Sequence, residues 1–286
     1  MKEIEKIGIV GSGTMGAGIA QLMIQNGYTA IIYDINLETV GRSKSAIELR
    51  LDRLVEKKRA SVDEANRMKE RLQTTADLSD FHDCQLVIEA APENMDIKRS
   101  IFQRLEEVCS EDTILTTNTS SLSITEISGQ IQIPKRVAGF HFFNPAPVMP
   151  LVEVIRGLKT GPETVSALVE FAKKLQKSPV VCKDTPGFIV NRVARPFYGE
   201  ALKIMNDQVA TVEQIDCIMK KAGNFKMGPF ELQDLIGIDV NFAVTKSVYG
   251  SFHGEPRFRP HYVQERMVQA GSLGRKTKGG FFSYDT

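Results

Sequence analysis

The run Ile7-Gly8-Ile9-Val10 passes directly into Gly11-Ser12-Gly13-Thr14-Met15-Gly16, and a helix-permissive stretch from Met15 to Asn26 follows. A short apolar strand, three spaced glycines and a helix in that order leave a chain few options. Gly11 makes the tight turn, Gly13 lets an anion approach the backbone, and Gly16 lets helix and strand pack closely. The helix N-terminus then offers unsatisfied amides to a negative group such as a pyrophosphate. Three glycines in six residues also make an ordinary loop; the flanking strand and helix distinguish the two. A second strand, Ala30 to Tyr33, leads into Asp34, roughly 20 residues beyond the fingerprint, where a carboxylate accepts from ribose hydroxyls and repels a 2′-phosphate. A dinucleotide site is predicted at Gly11, Gly13, Thr14, Met15, Gly16 and Asp34. With no arginine beside Asp34, NAD is favoured over NADP.

Strand and helix patterns continue to alternate. Val40, Ile47, Leu51, Leu54 and Val55 recur at helical spacing. Ser61-Val62-Asp63-Glu64 is a capping box that starts a second helix. Residues 39–72 therefore read as a helical hairpin inserted into the sheet domain. Leu86 to Glu89 is a strand and Asp96 to Val108 a helix. Thr113 to Thr117, Arg136 to Phe140, Leu151 to Ile155 and Val180 to Cys182 are further strands, and Pro162 opens a helix. Near Pro186-Gly187 the strand signals fade. Phe188, Val193, Phe197 and Ala201 mark a helix, Thr211-Val212-Glu213-Gln214 is another capping box, and amphipathic runs lie around 229–249 and 260–270. The fold class is α/β: a Rossmann-like, doubly wound domain over 1–185 with a helical hairpin insertion, then an all-α domain over 186–286.

At 286 residues two domains are the natural division. A formal net charge of +1 argues against nucleic acid and anionic membranes. No apolar run approaches a membrane span and the N-terminus has no signal-peptide layout, so a cytoplasmic protein is expected. Cys84, Cys109, Cys182 and Cys217 form no Cys-x-x-Cys pair and read as reduced, non-catalytic thiols; no metal site is expected.

Of four histidines, His82 reads as surface loop, and His253 and His261 lie in polar sequence. His141 follows Val137-Ala138-Gly139-Phe140 and so projects from a strand's carboxyl end, where ligands bind in open α/β sheets. An imidazole there is suited to accept a proton near neutral pH. A buried structural histidine is an equal reading of His141 alone. Glu153, beginning the next strand, could bond one ring nitrogen and fix the tautomer; otherwise it is a solvated strand-end carboxylate.

Asn118-Thr119-Ser120-Ser121-Leu122, His141-Phe142-Phe143-Asn144-Pro145-Ala146-Pro147-Val148-Met149, Leu151-Val152-Glu153-Val154-Ile155 and Pro186-Gly187-Phe188-Ile189-Val190-Asn191-Arg192 resemble the L-3-hydroxyacyl-CoA dehydrogenases. Their bacterial 3-hydroxybutyryl-CoA branch is the nearest likeness. Met227-Gly228-Pro229-Phe230-Glu231-Leu232 and Leu273-Gly274-Arg275-Lys276 extend the resemblance almost to the end. The resemblance implies that His141 is the general base toward the 3-hydroxyl and Glu153 its orienting partner. It also implies that Ser120 bonds the substrate oxygen and that Asn191 helps hold the reacting group from the other wall. Without it, Ser120 is a helix-cap serine and Asn191 an ordinary helix residue. Glu93, Lys98, Asn118 and Asn144 would lie near the cofactor; without the resemblance, Glu93 and Lys98 read as helix-start and helix-surface charges. Arg50, Arg53, Lys57, Lys58 and Arg59 form a basic run, and Arg53 with Lys57 would meet the phosphates of coenzyme A; a solvated helix face is the plain alternative. The C-terminal Lys276-Thr277-Lys278-Gly279-Gly280 departs from the family's glycine-lysine-glycine order, in what reads as a tail.

The expected function is NAD-dependent, reversible oxidation of short-chain (S)-3-hydroxyacyl-CoA, with the active site in the cleft between domains and a homodimer through the helical domain. Fatty-acid oxidation and butyrate formation use the same step. Two rivals remain: a β-hydroxyacid dehydrogenase of the 6-phosphogluconate type, which would use a lysine as proton acceptor, and a non-catalytic, crystallin-like NAD-binding relative. The His141/Glu153 pair speaks against the first and the complete set Ser120, His141, Glu153 and Asn191 against the second.

Overall fold

The structure, a computed structural model, describes residues 3–284. Two compact units divide between Thr185 and Pro186. The first is built on eight strands: β1 (Lys6–Val10), β2 (Thr29–Tyr33), β3 (Leu72–Thr75), β4 (Leu86–Glu89), β5 (Ile114–Thr117), β6 (Val137–Phe142), β7 (Leu151–Arg156) and β8 (Ser178–Lys183). Their order in the sheet is β3-β2-β1-β4-β5-β6-β7-β8. Strands β1 to β6 run parallel, β7 reverses against β6, and β8 runs parallel to β7. The carboxyl ends of β1, β4, β5 and β6 therefore share one edge.

Helices α1 (Thr14–Gln25), α2 (Leu37–Glu56), α3 (Val62–Glu70), α4 (Met95–Val108), the single turn α5 (Ile124–Ile127) and α6 (Pro162–Lys174) connect the strands. The central strands are apolar on both faces because helices cover both. Ile7, Ile9 and Ile32 pack with Ile19, Met23 and Phe171, while Val10, Ile31 and Val87 pack with Phe81, Phe102 and Leu105. Helix α2 starts because the Asn36 side chain accepts from the amides of Glu38 and Thr39. Its apolar stripe buries Val40, Ile47 and Leu51. The Ser61/Glu64 capping box forms as the spacing predicts.

Three expectations change. The pair α2–α3 is not an insertion between strands already identified: it is the crossover into β3, an edge strand absent from the sequence reading. Leu72-Gln73-Thr74-Thr75 is short and polar in three of its four residues, so only its pairing with Ala30 to Tyr33 makes it a strand. His141 lies within β6 rather than after it, and Glu153 is the third residue of β7 rather than its first.

The second unit is helical: α7 (Val190–Asn206), α8 (Val212–Lys221), α9 (Pro229–Ile236), α10 (Ile238–Ser251) and α11 (Tyr262–Gln269). The Thr211/Gln214 capping box starts α8. The run expected at 229–249 is two helices, because Gly237 sits at φ +101° between them, in the left-handed region that a glycine occupies without strain. The expected C-terminal tail is docked. Asp234, 1% exposed, accepts from the amides of Phe281 and Phe282 and from the Tyr284 hydroxyl. Lys276 bonds Asp239.

Candidate active site

The turn after β1 is shaped for close backbone approach. Gly11 has φ +100°, and a Cβ there would lie 2.6 Å from the Ala90 carbonyl oxygen. A Cβ on Gly16 would run into the Gly11 carbonyl, whereas one on Gly13 meets nothing within 4 Å. The loop is therefore tight underneath and open above. Helix α1 has no side-chain N-cap and no acidic residue in its first turn, so its leading amides and dipole suit an anion. Thr14 is exposed and Met15 half-buried at that end. Asp34 follows β2, and its Oδ2 accepts from the Ser12 amide (2.9 Å) and hydroxyl (2.6 Å). That pair ties the carboxylate to the glycine turn. The residues fit a dinucleotide: a cradle for the pyrophosphate and an acidic group for the ribose.

Along the same edge, β4 ends in Glu89, which is fully buried. It accepts from Lys98 Nζ (2.6 and 2.9 Å), the Thr117 hydroxyl (2.6 Å) and the Ala91 amide (2.6 Å). Four bonds compensate for removing this charge from water. Lys98, 1% exposed, also lies 3.5 Å from Glu93 Oε2. Glu93 Oε1 in turn accepts from the hydroxyls of Thr119 (2.5 Å) and Ser121 (3.3 Å) and from the Ser120 amide (3.0 Å) and hydroxyl (3.4 Å). Ser120 is thus held beside Glu93 at this edge. The Lys98 ammonium is taken up by the carboxylates of Glu89 and Glu93. The sequence reading assigned Glu89 no role. A carboxylate closing an apolar strand, with a lysine in the next helix, was the available signal.

Strands β6 and β7 pair so that His141 stands opposite Glu153. His141 Nδ1 is 2.8 Å from Glu153 Oε2, with the residues 6% and 1% exposed. The ring also packs on Phe143, centroids 4.5 Å apart. A carboxylate accepts only, so Nδ1 carries the proton and the lone pair falls on Nε2. Asn118 Oδ1 accepts from the Phe142 amide at 2.8 Å, binding the end of β5 to the strand of His141. Asn144 is exposed in the turn that follows. All four cysteines are free thiols. Burial pushes Cys84 and Cys182 up to about 12 and Cys109 to about 11, so these three stay protonated.

In the second unit Asn191 lies in the first turn of α7. Arg195, one turn on and 4% exposed, donates through Nε to the Asn191 carbonyl (3.2 Å) and through Nη2 to its Oδ1 (3.4 Å). Back in the first unit, Arg53 lies in the last turn of α2 and Lys57 caps it, both exposed, with the Lys57 amide bonded to the Arg53 carbonyl. They share one helix face, as their spacing predicts.

Residues 6–185 match the model of the 3-hydroxyacyl-CoA dehydrogenase NAD-binding domain, and 187–284 match that of the C-terminal domain of the same family. The chain is 47% identical to an Escherichia coli 3-hydroxyadipyl-CoA dehydrogenase, over 99% of this chain but only 60% of that protein's length. It is 42% identical to a probable 3-hydroxybutyryl-CoA dehydrogenase of Deinococcus radiodurans, over 98% of this chain and 100% of the relative. The crystal structure of an (S)-3-hydroxybutyryl-CoA dehydrogenase from Ralstonia eutropha superposes with a TM-score of 0.94 at 38% identity, covering 99% of this chain and 100% of that one.

Proposed function

Because this chain belongs to the 3-hydroxyacyl-CoA dehydrogenase family, we propose that it interconverts short-chain (S)-3-hydroxyacyl-CoA and 3-oxoacyl-CoA with NAD, 3-hydroxybutyryl-CoA being the first substrate. The observation that carries this reading is the buried 2.8 Å contact between His141 and Glu153 on the edge that holds the glycine turn. NAD held at the Gly11–Gly16 turn and Asp34 would supply the hydride acceptor for the substrate C3. His141 Nε2 takes the hydroxyl proton in the same conversion, and Glu153 stabilises the imidazolium that results. Ser120 and Asn191 donate to the oxygen as it becomes a carbonyl. In the reductive direction the same groups return the proton, so one site serves fatty-acid oxidation or butyrate formation.

The test is NADH formation with 3-hydroxybutyryl-CoA and 3-hydroxyadipyl-CoA side by side, since close relatives carry both names. Turnover of neither substrate would overturn the reading. Preference for the dicarboxylic chain would reassign the substrate while leaving the mechanism.

NADH is expected to exceed NADPH in kcat/KM, because the Asp34 carboxylate at the end of β2 would meet a 2′-phosphate, and like charges in a partly desolvated site cost about 4 kcal/mol at 4 Å. Asp34→Ala narrows the gap. Equal efficiency with both cofactors in the wild type would refute the role of Asp34.

Arg53 and Lys57 are our assignment for the coenzyme A phosphates. Replacing both by alanine raises KM for the acyl-CoA and leaves kcat and NADH affinity nearly unchanged, since binding common to ground and transition states is removed. The effect shrinks with salt as screening tightens to about 10 Å at 0.1 M. An unchanged KM at low salt would reduce the run to a solvated face.

We place the enzyme in the cytoplasm as a homodimer formed through its helical unit, where Val193, Leu235, Ile236 and Val240 are 69%, 48%, 41% and 46% exposed. Among the described residues no helix is long and apolar enough to cross a membrane. Sedimentation as a monomer at micromolar concentration would refute the dimer.

A further inference from the structure

Arg195 is a buried cation whose hydrogen-bond partners are all neutral. Its Nη1 donates to the Asn241 carbonyl (2.8 Å) and to the Thr245 hydroxyl (3.0 Å), and its other bonds go to Asn191. The Tyr198 ring lies 5.0 Å from the guanidinium carbon. No described carboxylate forms an ion pair with it. Two observations define what such a group does. It is rigid, because α10 holds Nη1 through Asn241 and Thr245, and Thr245 itself donates to the Asn241 carbonyl at 2.8 Å. Its remaining fork is turned on the side-chain oxygen of Asn191.

We propose that Arg195 is a positioning residue for Asn191, fixing its amide so that Nδ2 is the atom presented to the substrate oxygen and strengthening that donor as negative charge develops. The proposal rests on the reading that Asn191 meets the substrate. An amide beside a guanidinium has one sensible orientation: the oxygen accepts, and the NH2 group must turn away, since two donors facing one another repel. A donor is what a C3 oxygen needs when it carries alkoxide character during hydride and proton transfer. The arginine's uncompensated charge adds to this. Burial lowers its pKa to about 10, the signature of a cation short of negative charge, and an oxyanion bonded to Asn191 relieves that shortage. Mere helix packing would be served by an apolar side chain at lower desolvation cost.

The test is a double-mutant cycle on the full-length protein, assayed in the reductive direction with acetoacetyl-CoA and NADH. Asn191→Ala loses about 10²–10³ in kcat, the range for one oxyanion donor. Arg195→Met loses about tenfold with KM for NADH unchanged. In the Asn191→Ala background the arginine change has no further effect on kcat, because the group it acts through is gone. Arg195→Lys keeps the charge without the fork and falls between the wild type and Arg195→Met. An equal loss from Arg195→Met in both backgrounds overturns the proposal and leaves Arg195 as packing between α7 and α10. Wild-type turnover by Arg195→Met also overturns it. Wild-type turnover by Asn191→Ala instead removes the role of Asn191, a separate failure. Should the methionine variant not fold, Arg195→Gln and Arg195→Lys carry the same cycle.

Discussion

Replacing His141 by alanine lowers kcat by about 10²–10⁴, the contribution of a positioned general base, and leaves NADH binding intact. The cofactor turn is formed at Gly11 to Gly16 and Asp34, several strands away from β6 in the sheet. Glu153→Gln also lowers kcat, since a neutral amide no longer supports the imidazolium and can present its NH2 group to Nδ1, favouring the wrong tautomer. The two side chains share one 2.8 Å bond, so the double variant is little worse than His141→Ala alone. The measurement is kcat for all four proteins at saturating acetoacetyl-CoA and NADH. Multiplicative losses would dissolve the dyad, and near-normal turnover by His141→Ala would sink the mechanism.

The second large effect is on stability. Glu89→Ala removes the carboxylate that Lys98 meets at 2.6 Å in an environment where the two side chains are 0% and 1% exposed. Removing the main partner of a buried charge costs about 3–5 kcal/mol, with only the more distant, part-exposed Glu93 left at 3.5 Å, and the Thr117 hydroxyl and Ala91 amide lose their acceptor as well. The loss appears as a lower urea midpoint at unchanged slope. Pairing the change with Lys98→Met recovers most of it, because no lone charge is then left behind. A loss below about 1 kcal/mol, the range of exposed pairs, would mean that water reaches Lys98. Activity should fall even in the recovered double variant, because Lys98 no longer holds Glu93 beside Ser120.

The local order of the chain was legible because it is written in local chemistry. The two capping boxes depend on residues three positions apart and form as the spacing predicts, and the strand–glycine–helix succession is likewise local, whereas the bond that ties Asp34 to Ser12 spans 22 positions. Strand β3 escaped because Leu72-Gln73-Thr74-Thr75 carries no apolar alternation. Its hydrogen bonds come from β2, some 40 residues earlier in the chain. Gly237 broke one expected helix into two because a single left-handed residue outweighs amphipathic continuity.

The strand positions of His141 and Glu153 already suggested the pair from sequence, and the family resemblance gave its members their roles. The bond itself depends on β7 reversing against β6 with Gly139 opposite Ile155 and His141 opposite Glu153. Register has period two, and a slip of one residue would send one of the two side chains to the other face. Without the resemblance, which set Glu93 and Lys98 near the cofactor, those two read as helix charges and Glu89 as the end of a strand; burial made the three a linked set that reaches Ser120. Arg195 gave no sequence signal beyond standing one turn after Asn191. What the sequence by itself determined was the succession of strands, helices and turns, and the types of group available, because propensity, capping and glycine conformation act over a few residues. The tertiary structure alone decided which distant groups share a proton, a charge or a carboxylate, because those energies depend on burial and on distances below 4 Å that only the packed sheet and helices set.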